Sequence, residues 1–190
     1  MKEKYYKLFV DCYNKKSTCL FPNPPIEGEL CEDGKNISAK YLEGIRIDFP
    51  SGDDEANFLP MHSCLRINSG IVSQQFRDVV EPYITDPTAV EFVPVKVVHE
   101  KYGERTYYIM HFLRFEDVID YANSKIVRYS DGTQTVMVPS LKLSKIRDKH
   151  IFCIDAVGNV IISNTLRRTL IKNGMKEGLS FSKSCISEHE

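Results

Sequence analysis

The chain has 190 residues, of which 42% are hydrophobic and 27% are charged, values that are ordinary for a soluble globular protein. The 25 basic and 26 acidic residues leave a net charge of −1, which excludes a global basic field that would attract nucleic acid. No apolar run approaches the roughly 18 residues that cross a bilayer. We therefore expect a globular protein without a nucleic-acid or membrane partner.

The cysteines favour a reducing compartment. All six, at positions 12, 19, 31, 64, 153 and 185, lack Cys-x-x-Cys spacing. The first residues, "MKEKYYKLFVDCYNKKS", carry too many charges for a secretion signal. Reduced thiols in a cytoplasmic protein are therefore favoured over the alternative of a disulfide framework.

The N-terminal third is predicted to contain two strands separated by a long loop. Segment 4–13 is rich in aromatic residues and typical of an opening strand. Prolines within 22–25 exclude a regular helix, because each lacks an N–H and restricts the residue before it. Segment 44–50 alternates apolar and polar residues, which predicts a half-exposed strand with Ile45 and Ile47 on one face.

A serine-centred motif occurs twice, as "GIVSQQFRDVV" and "VIISNTLRRTL", with Ser73 and Ser163 at matching positions. Each copy predicts a strand that ends at the serine, then a helix (about 74–83 and 164–173), a loop and another strand. Each hydroxyl can accept a hydrogen bond from the first helical turn. A nucleophilic serine on a sharp turn needs the small neighbours of G-x-S-x-G, which neither copy has. We therefore predict that both serines are helix N-caps.

Hairpins and one further short helix are predicted between and after these units. The hairpin turns are expected at Lys101–Glu104, Asp131-Gly132 and Gly158-Asn159. The stretch "RFEDVIDYANS", residues 114–124, predicts a short helix whose apolar side carries Phe115, Val118, Ile119 and Ala122. Together these elements predict an α+β fold with a mixed, mostly antiparallel sheet, a few short helices and two strand–Ser–helix–strand units.

Three residues are candidates for an enzymatic site. His62 and Cys64 could face one way along a strand, and His111 lies in the apolar stretch "YYIMHFLRF". A closed zinc site needs four ligands, and no second pair stands at ligand spacing, so no metal site is predicted. A packed core histidine is the commoner role for a residue such as His111. No phosphate-binding glycine motif occurs, and no cofactor is predicted.

Acidic and basic clusters offer binding surfaces instead. Asp48, Asp53, Asp54 and Glu55 lie within eight positions and lack the ligand alternation of an EF-hand loop. They are either a solvated loop or an acidic patch that docks a basic partner. The basic segments 142–149 and 166–176 lack the interleaved aromatic residues of a single-strand-binding surface, and solvated helix faces are favoured there.

The chain resembles a bacterial family in the order and spacing of several segments. These segments are "GIVSQQFRDVV", "VEFVPVKV", "YYIMHFLRFEDVIDY" and "HIFCIDAVGNVIISNTLRRTLIKNGMKEGLSFSK". The resemblance, over residues 69–184, is to immunity protein family eleven of polymorphic toxin systems. It implies a cytoplasmic inhibitor that is encoded beside a secreted toxin and neutralises it by binding, without catalytic residues.

The resemblance divides the chain into residues 1–68, packed on the remainder, the family-like core 69–184 and a frayed tail, 185–190. The expected partner is the cognate toxin, and the expected state is a monomer or weak homodimer. Two alternatives stay open. One is a small enzyme that uses His62, Cys64 or His111, and the other is a structural protein that self-associates through its sheet edges.

Overall fold

Extended segments dominate the chain because most of its apolar residues alternate with polar ones or are β-branched. A computed structural model describes residues 3–23, 25–26, 36, 44–52, 56–64, 67–155 and 159–187. Its strands are β1 (Tyr5–Val10), β2 (Cys19–Asn23), β3 (Ile45–Asp48), β4 (Met61–Cys64), β5 (Ile67–Ser73), β6 (Val90–His99), β7 (Gly103–Phe112), β8 (Lys125–Arg128), β9 (Gln134–Val138), β10 (Ser140–Lys142), β11 (Ile151–Cys153), β12 (Val160–Ser163), β13 (Leu179–Lys183) and β14 (Cys185–Ser187). The α-helices are α1 (Gln74–Val80), α2 (Leu143–Ile146) and α3 (Asn164–Lys172), and short 3₁₀ turns occupy Glu81–Tyr83 and Pro87–Ala89.

Six strands close into a barrel in the order β2-β3-β6-β7-β5-β4. Parallel pairing of β2 with β4 closes it, and β3 also runs parallel to β6, while the other pairs are antiparallel. Apolar residues fill the interior, among them Leu20, Ile47, Ile71 and Ile109. The α+β class and the mostly antiparallel pairing are as predicted, whereas barrel closure was not foreseen.

A second sheet, β11-β12-β1-β13, is antiparallel throughout. One of its faces shares a core with the outer face of the barrel and with α1 and α3. Phe76 of α1, Leu166 of α3, Leu8 of β1 and Met110 of β7 all lie in this shared core. The N-terminal strand therefore packs inside the main structure, and the barrel and sheet are held by one set of apolar contacts.

The segment 114–124 is not a helix, so that prediction is wrong. Phe115 forms a parallel bridge with Cys153, and Ile119 forms an antiparallel bridge with Leu141. Val118 and Ile119 are both buried, 1% and 5% exposed, in a third core on the other face of the second sheet. Neighbouring strands supply the hydrogen-bond partners that a helix would otherwise provide, so tertiary burial overrides the local helical spacing.

Residues 185–187, which were expected to fray, form β14 and pair in parallel with β10. Strand β10 offers unpaired backbone groups at its edge, and the chain beyond β13 satisfies them. The hairpins β6–β7, β8–β9 and β11–β12 form as predicted. The turn residue Gly158 lies outside the described residues. Within the described part of the chain, no helix is long and apolar enough to span a membrane.

The two serine motifs belong to two copies of one structural unit. In the first unit, β5, α1 and β6 form a strand–helix–strand crossover, with β7 antiparallel between the two strands and β4 outside β5. In the second unit, β12, α3 and β13 form the crossover, with β1 between the strands and β11 outside β12. The equivalent positions include Ser73 and Ser163, Tyr107 and Tyr5, and Tyr108 and Tyr6.

The match between the units extends to buried tyrosines. Tyr107 donates its hydroxyl to the carbonyl of Leu59 at 2.7 Å, and Tyr5 donates to Ile146 at 2.5 Å. Burial raises the pKa of Tyr5 to about 12 and also raises the pKa of Tyr107. These hydroxyls stay protonated. Tyr107 anchors the segment before β4 and Tyr5 anchors the end of α2, which are structural roles.

Both serines occupy N-cap positions. The Ser73 hydroxyl accepts from the Phe76 N–H at 3.2 Å, and the Ser163 hydroxyl accepts from the Leu166 N–H at 3.1 Å. Ser163 is fully buried and also contacts His150 Nδ1 at 2.8 Å, whereas Ser73 is partly exposed. The second cap therefore satisfies two polar groups and the first satisfies one.

Replacing each serine by alanine tests this difference. We expect Ser73→Ala to lower the free energy of unfolding by about 1 kcal/mol, the usual value of a cap. Ser163→Ala should cost about 2 kcal/mol, because it also leaves His150 Nδ1 without its partner. Chemical denaturation measures both values, and an equal cost for the two variants would contradict the role given to His150.

Candidate functional site

Asp48, the one described residue of the predicted acidic patch, lies at one end of the barrel. Asp48 is the last residue of β3, and its carboxylate accepts from Arg46 Nε at 3.0 Å and Nη2 at 2.9 Å. Asp53, Asp54 and Glu55 lie outside the described residues. A cavity of about 670 Å³ at this end of the barrel is lined by residues of both signs, including Asp48 and Lys101. The Asp48 charge is therefore already balanced by its neighbour.

An aromatic and histidine cluster packs beneath this end of the barrel. Phe49 contacts His62 and His99, with ring centroids 5.3 and 4.6 Å apart. His99 Nδ1 accepts a hydrogen bond from the Lys101 N–H at 3.0 Å. The ring proton is therefore on Nε2, which donates a hydrogen bond to the Ala56 carbonyl at 3.1 Å. His99 thereby holds the β6–β7 turn and the segment before β4 together.

His62 is a neutral core residue. It is fully buried, and its Nε2 accepts from the Leu59 N–H at 3.0 Å. Burial lowers the pKa of His62 to about 4, and the Thr18 carbonyl partly opposes this shift. The imidazole therefore serves as a fixed acceptor that shapes the chain before β4.

The three residues of the enzymatic alternative are all buried. His62, Cys64 and His111 are 0%, 7% and 3% exposed. Four cavities of about 280 to 670 Å³ are lined by described residues, and none of these four is lined by any of the three. The described residues also contain no group of three metal-ligating side chains. Cys64 belongs instead to the barrel core.

Each repeated unit carries an arginine packed on two aromatic rings. In the first arginine cluster, the Arg77 guanidinium lies 4.7 Å from the Tyr108 ring centre and 5.4 Å from that of Phe92. Both distances are within cation–π range. An ion pair between Arg77 Nη2 and Glu81 Oε1, at 3.1 Å, completes this cluster.

The second arginine cluster repeats this packing. Arg167 lies 4.8 Å from the ring centre of Tyr6 and 5.3 Å from that of Phe181. The two copies of the serine-centred motif contain Arg77 and Arg167 at matching positions. Their aromatic partners come from β1, β6, β7 and β13, which are remote in sequence, so these clusters were not predicted.

A separate exposed surface lies on the β8–β9 hairpin and the turn before it. Tyr129 and Met137 are 50% and 56% exposed there, and Tyr121 is 51% exposed. Aromatic residues and methionine are enriched at protein interfaces. This hairpin is on the side of the second sheet that faces away from the barrel, since Val136 packs against the third core.

A search of curated proteins found no match for this chain. The model of the Immunity protein family (Imm11) matches residues 19–184. That range begins in the barrel, at β2, and includes both serine motifs, so it extends well before residue 69, where the motif resemblance began. Membership implies a role in immunity to a toxin and a toxin as the binding partner. The chain therefore belongs to the Imm11 immunity protein family.

Proposed function

We propose that this protein acts in the cytoplasm, where it binds a cognate bacterial toxin and masks a surface that the toxin needs, without catalysis. The family match over residues 19–184 is the observation that carries this proposal. The burial of His62, Cys64 and His111 away from the four described cavities supports a binding role rather than an enzymatic one. Loops and hairpins on a rigid barrel are suited to recognition.

The proposal is tested in cells that express the toxin encoded beside this gene. Co-expression of the immunity protein should restore growth, and a non-cognate toxin should stay lethal. Growth arrest in the presence of folded immunity protein would remove the proposal.

The acidic segment is our proposed contact for a basic part of the toxin. Asp48 is paired with Arg46, and Asp53, Asp54 and Glu55 add three negative charges to the segment. Such charges accelerate the encounter with an oppositely charged partner and do so less at high salt. Their main effect therefore falls on the association rate constant.

Neutralising the segment tests this contact. We expect the triple variant Asp53→Asn, Asp54→Asn, Glu55→Gln to associate with the toxin about tenfold more slowly at low salt, with a flatter salt dependence. Stopped-flow mixing measures the rate. The control triple Asp117→Asn, Asp131→Asn, Glu177→Gln has the same net charge, and equal rates for the two triples would refute the contact.

A further inference from the structure

The two arginine clusters share their packing but differ in charge. The residue four positions after the arginine is Glu81 in the first unit and Ile171 in the second. The residue directly after the arginine is Asp78 in the first unit and Arg168 in the second. The second arginine cluster therefore has the guanidinium and both rings of the first but lacks its carboxylate.

The surroundings of the second arginine cluster are basic. Lys183 lies opposite Tyr6 in the sheet, at the position that Pro94 occupies opposite Tyr108 in the first unit. Lys172, at the end of α3, matches Pro82 of the first unit in the serine-motif alignment. Arg168, Lys172 and Lys183 are all exposed. Among the described residues, Arg77 of the first unit is ion-paired, whereas Arg168, Lys172 and Lys183 of the second form no ion pair.

Two aromatic rings hold Arg167 in place. Its Nε is buried and makes no hydrogen bond, and no carboxylate within the described residues pairs with its guanidinium. Glu3 lies near this end of α3, but its Oε1 accepts from the Thr165 N–H at 2.8 Å. A guanidinium that is already oriented by two rings loses little freedom when it binds a carboxylate, and its planar donors fit both carboxylate oxygens.

We propose that Arg167 binds a carboxylate side chain of the toxin, which takes the place that Glu81 fills in the first unit. Lys183, opposite Tyr6 in the sheet, and the exposed Arg168 and Lys172 of α3 add positive charge to this part of the surface. This inference rests on the proposed function, since it names the chemistry of one contact with the toxin. A single-stranded nucleic acid fits less well, because the Tyr6 and Phe181 rings are covered by the guanidinium and are not free to stack on bases.

The variant Ile171→Glu tests the inference by supplying the missing carboxylate within the chain. We expect its glutamate to pair with Arg167 as Glu81 pairs with Arg77, which keeps or raises the melting temperature. The toxin's carboxylate must then compete, so the affinity for the purified toxin should fall at least about tenfold. Ile171→Gln has a side chain of the same shape without charge, and its affinity should stay within about threefold of the parent.

A matched pair of lysine variants separates binding from packing. Arg167→Lys keeps the charge but loses the planar donors, so its affinity should fall about tenfold, whereas Arg77→Lys should bind the toxin as the parent does. Wild-type affinities for Ile171→Glu and Arg167→Lys would overturn the inference while the proposed function stood. If these two variants lost binding to a labelled 20-nucleotide DNA strand while their toxin binding was unchanged, the inference would also be overturned. Failure of the parent protein to bind the toxin would instead overturn the proposed function.

Discussion

Phe76→Ala is expected to lower the free energy of unfolding by about 4 kcal/mol, the usual cost of emptying a large aromatic site in a core. Phe76 is 0% exposed and packs in the core that the barrel, the second sheet, α1 and α3 share. The cavity would lie where these elements meet, so neither the barrel nor the sheet can close over it alone. We expect one cooperative transition for both the parent and the variant.

Urea denaturation followed by circular dichroism and by tyrosine fluorescence measures this effect. Phe21→Ala is the control, because Phe21 is 49% exposed on barrel strand β2 and should cost about 0.5 kcal/mol or less. A loss below about 1 kcal/mol for Phe76→Ala, or separate transitions for the two probes, would show that the barrel and the sheet do not share one core.

Stability is expected to fall by about 3 kcal/mol between pH 6.5 and pH 4 because of His62 alone. Burial lowers the pKa of this imidazole from 6.5 to about 4 in the folded protein. Below pH 6.5 the His62 imidazole is protonated in the unfolded chain, whereas in the folded chain it stays neutral until about pH 4. Protonation therefore favours unfolding across this window. Above pH 6.5 both states are neutral at this residue, and the contribution to pH dependence disappears.

The variant His62→Gln isolates this effect from other titrating groups. A glutamine oxygen can accept from the Leu59 N–H as His62 Nε2 does, but it does not titrate. The difference in unfolding free energy between the parent and the variant should therefore change by about 3 kcal/mol across the window. A difference that stays constant from pH 7 to pH 4 would mean that the imidazole accepts a proton in the folded state.

Local patterns predicted the elements whose side-chain alternation or turn residues lie within a few positions of one another. The alternation at Ile45 and Ile47 marks the inner face of β3, where both residues are buried, and the glycine turns of the β6–β7 and β8–β9 hairpins have positive φ at Gly103 and Gly132. In these segments the side-chain period and the turn chemistry are complete within about ten residues.

The failures have a common cause in distant pairing. Segment 114–124 has helical spacing, yet Phe115 and Ile119 pair with strands more than twenty residues away. The barrel depends on the parallel pairs β2–β4 and β3–β6, whose strands do not follow one another along the chain. No local pattern encodes which edge a strand will join.

The repeat was visible in the sequence only in part. Residues on α1 and α3 match at a constant offset, so the correspondence between Ser73 and Ser163 was apparent in the sequence. The middle strand of each unit comes from a different place, since β7 follows α1 whereas β1 opens the described chain. Tyr108 and Tyr6 therefore occupy equivalent positions under Arg77 and Arg167 without any sequence register between them.

Neutralisation by binding requires that toxin activity fall in step with complex formation. Isothermal titration of the toxin with the protein, with residual toxin activity measured at each point, follows both quantities together. We expect a single transition at one immunity protein per toxin, with activity lost in proportion to the complex formed. Full loss of toxin activity at a small fraction of one equivalent would indicate turnover by an enzyme and would contradict neutralisation by binding, as would the absence of binding.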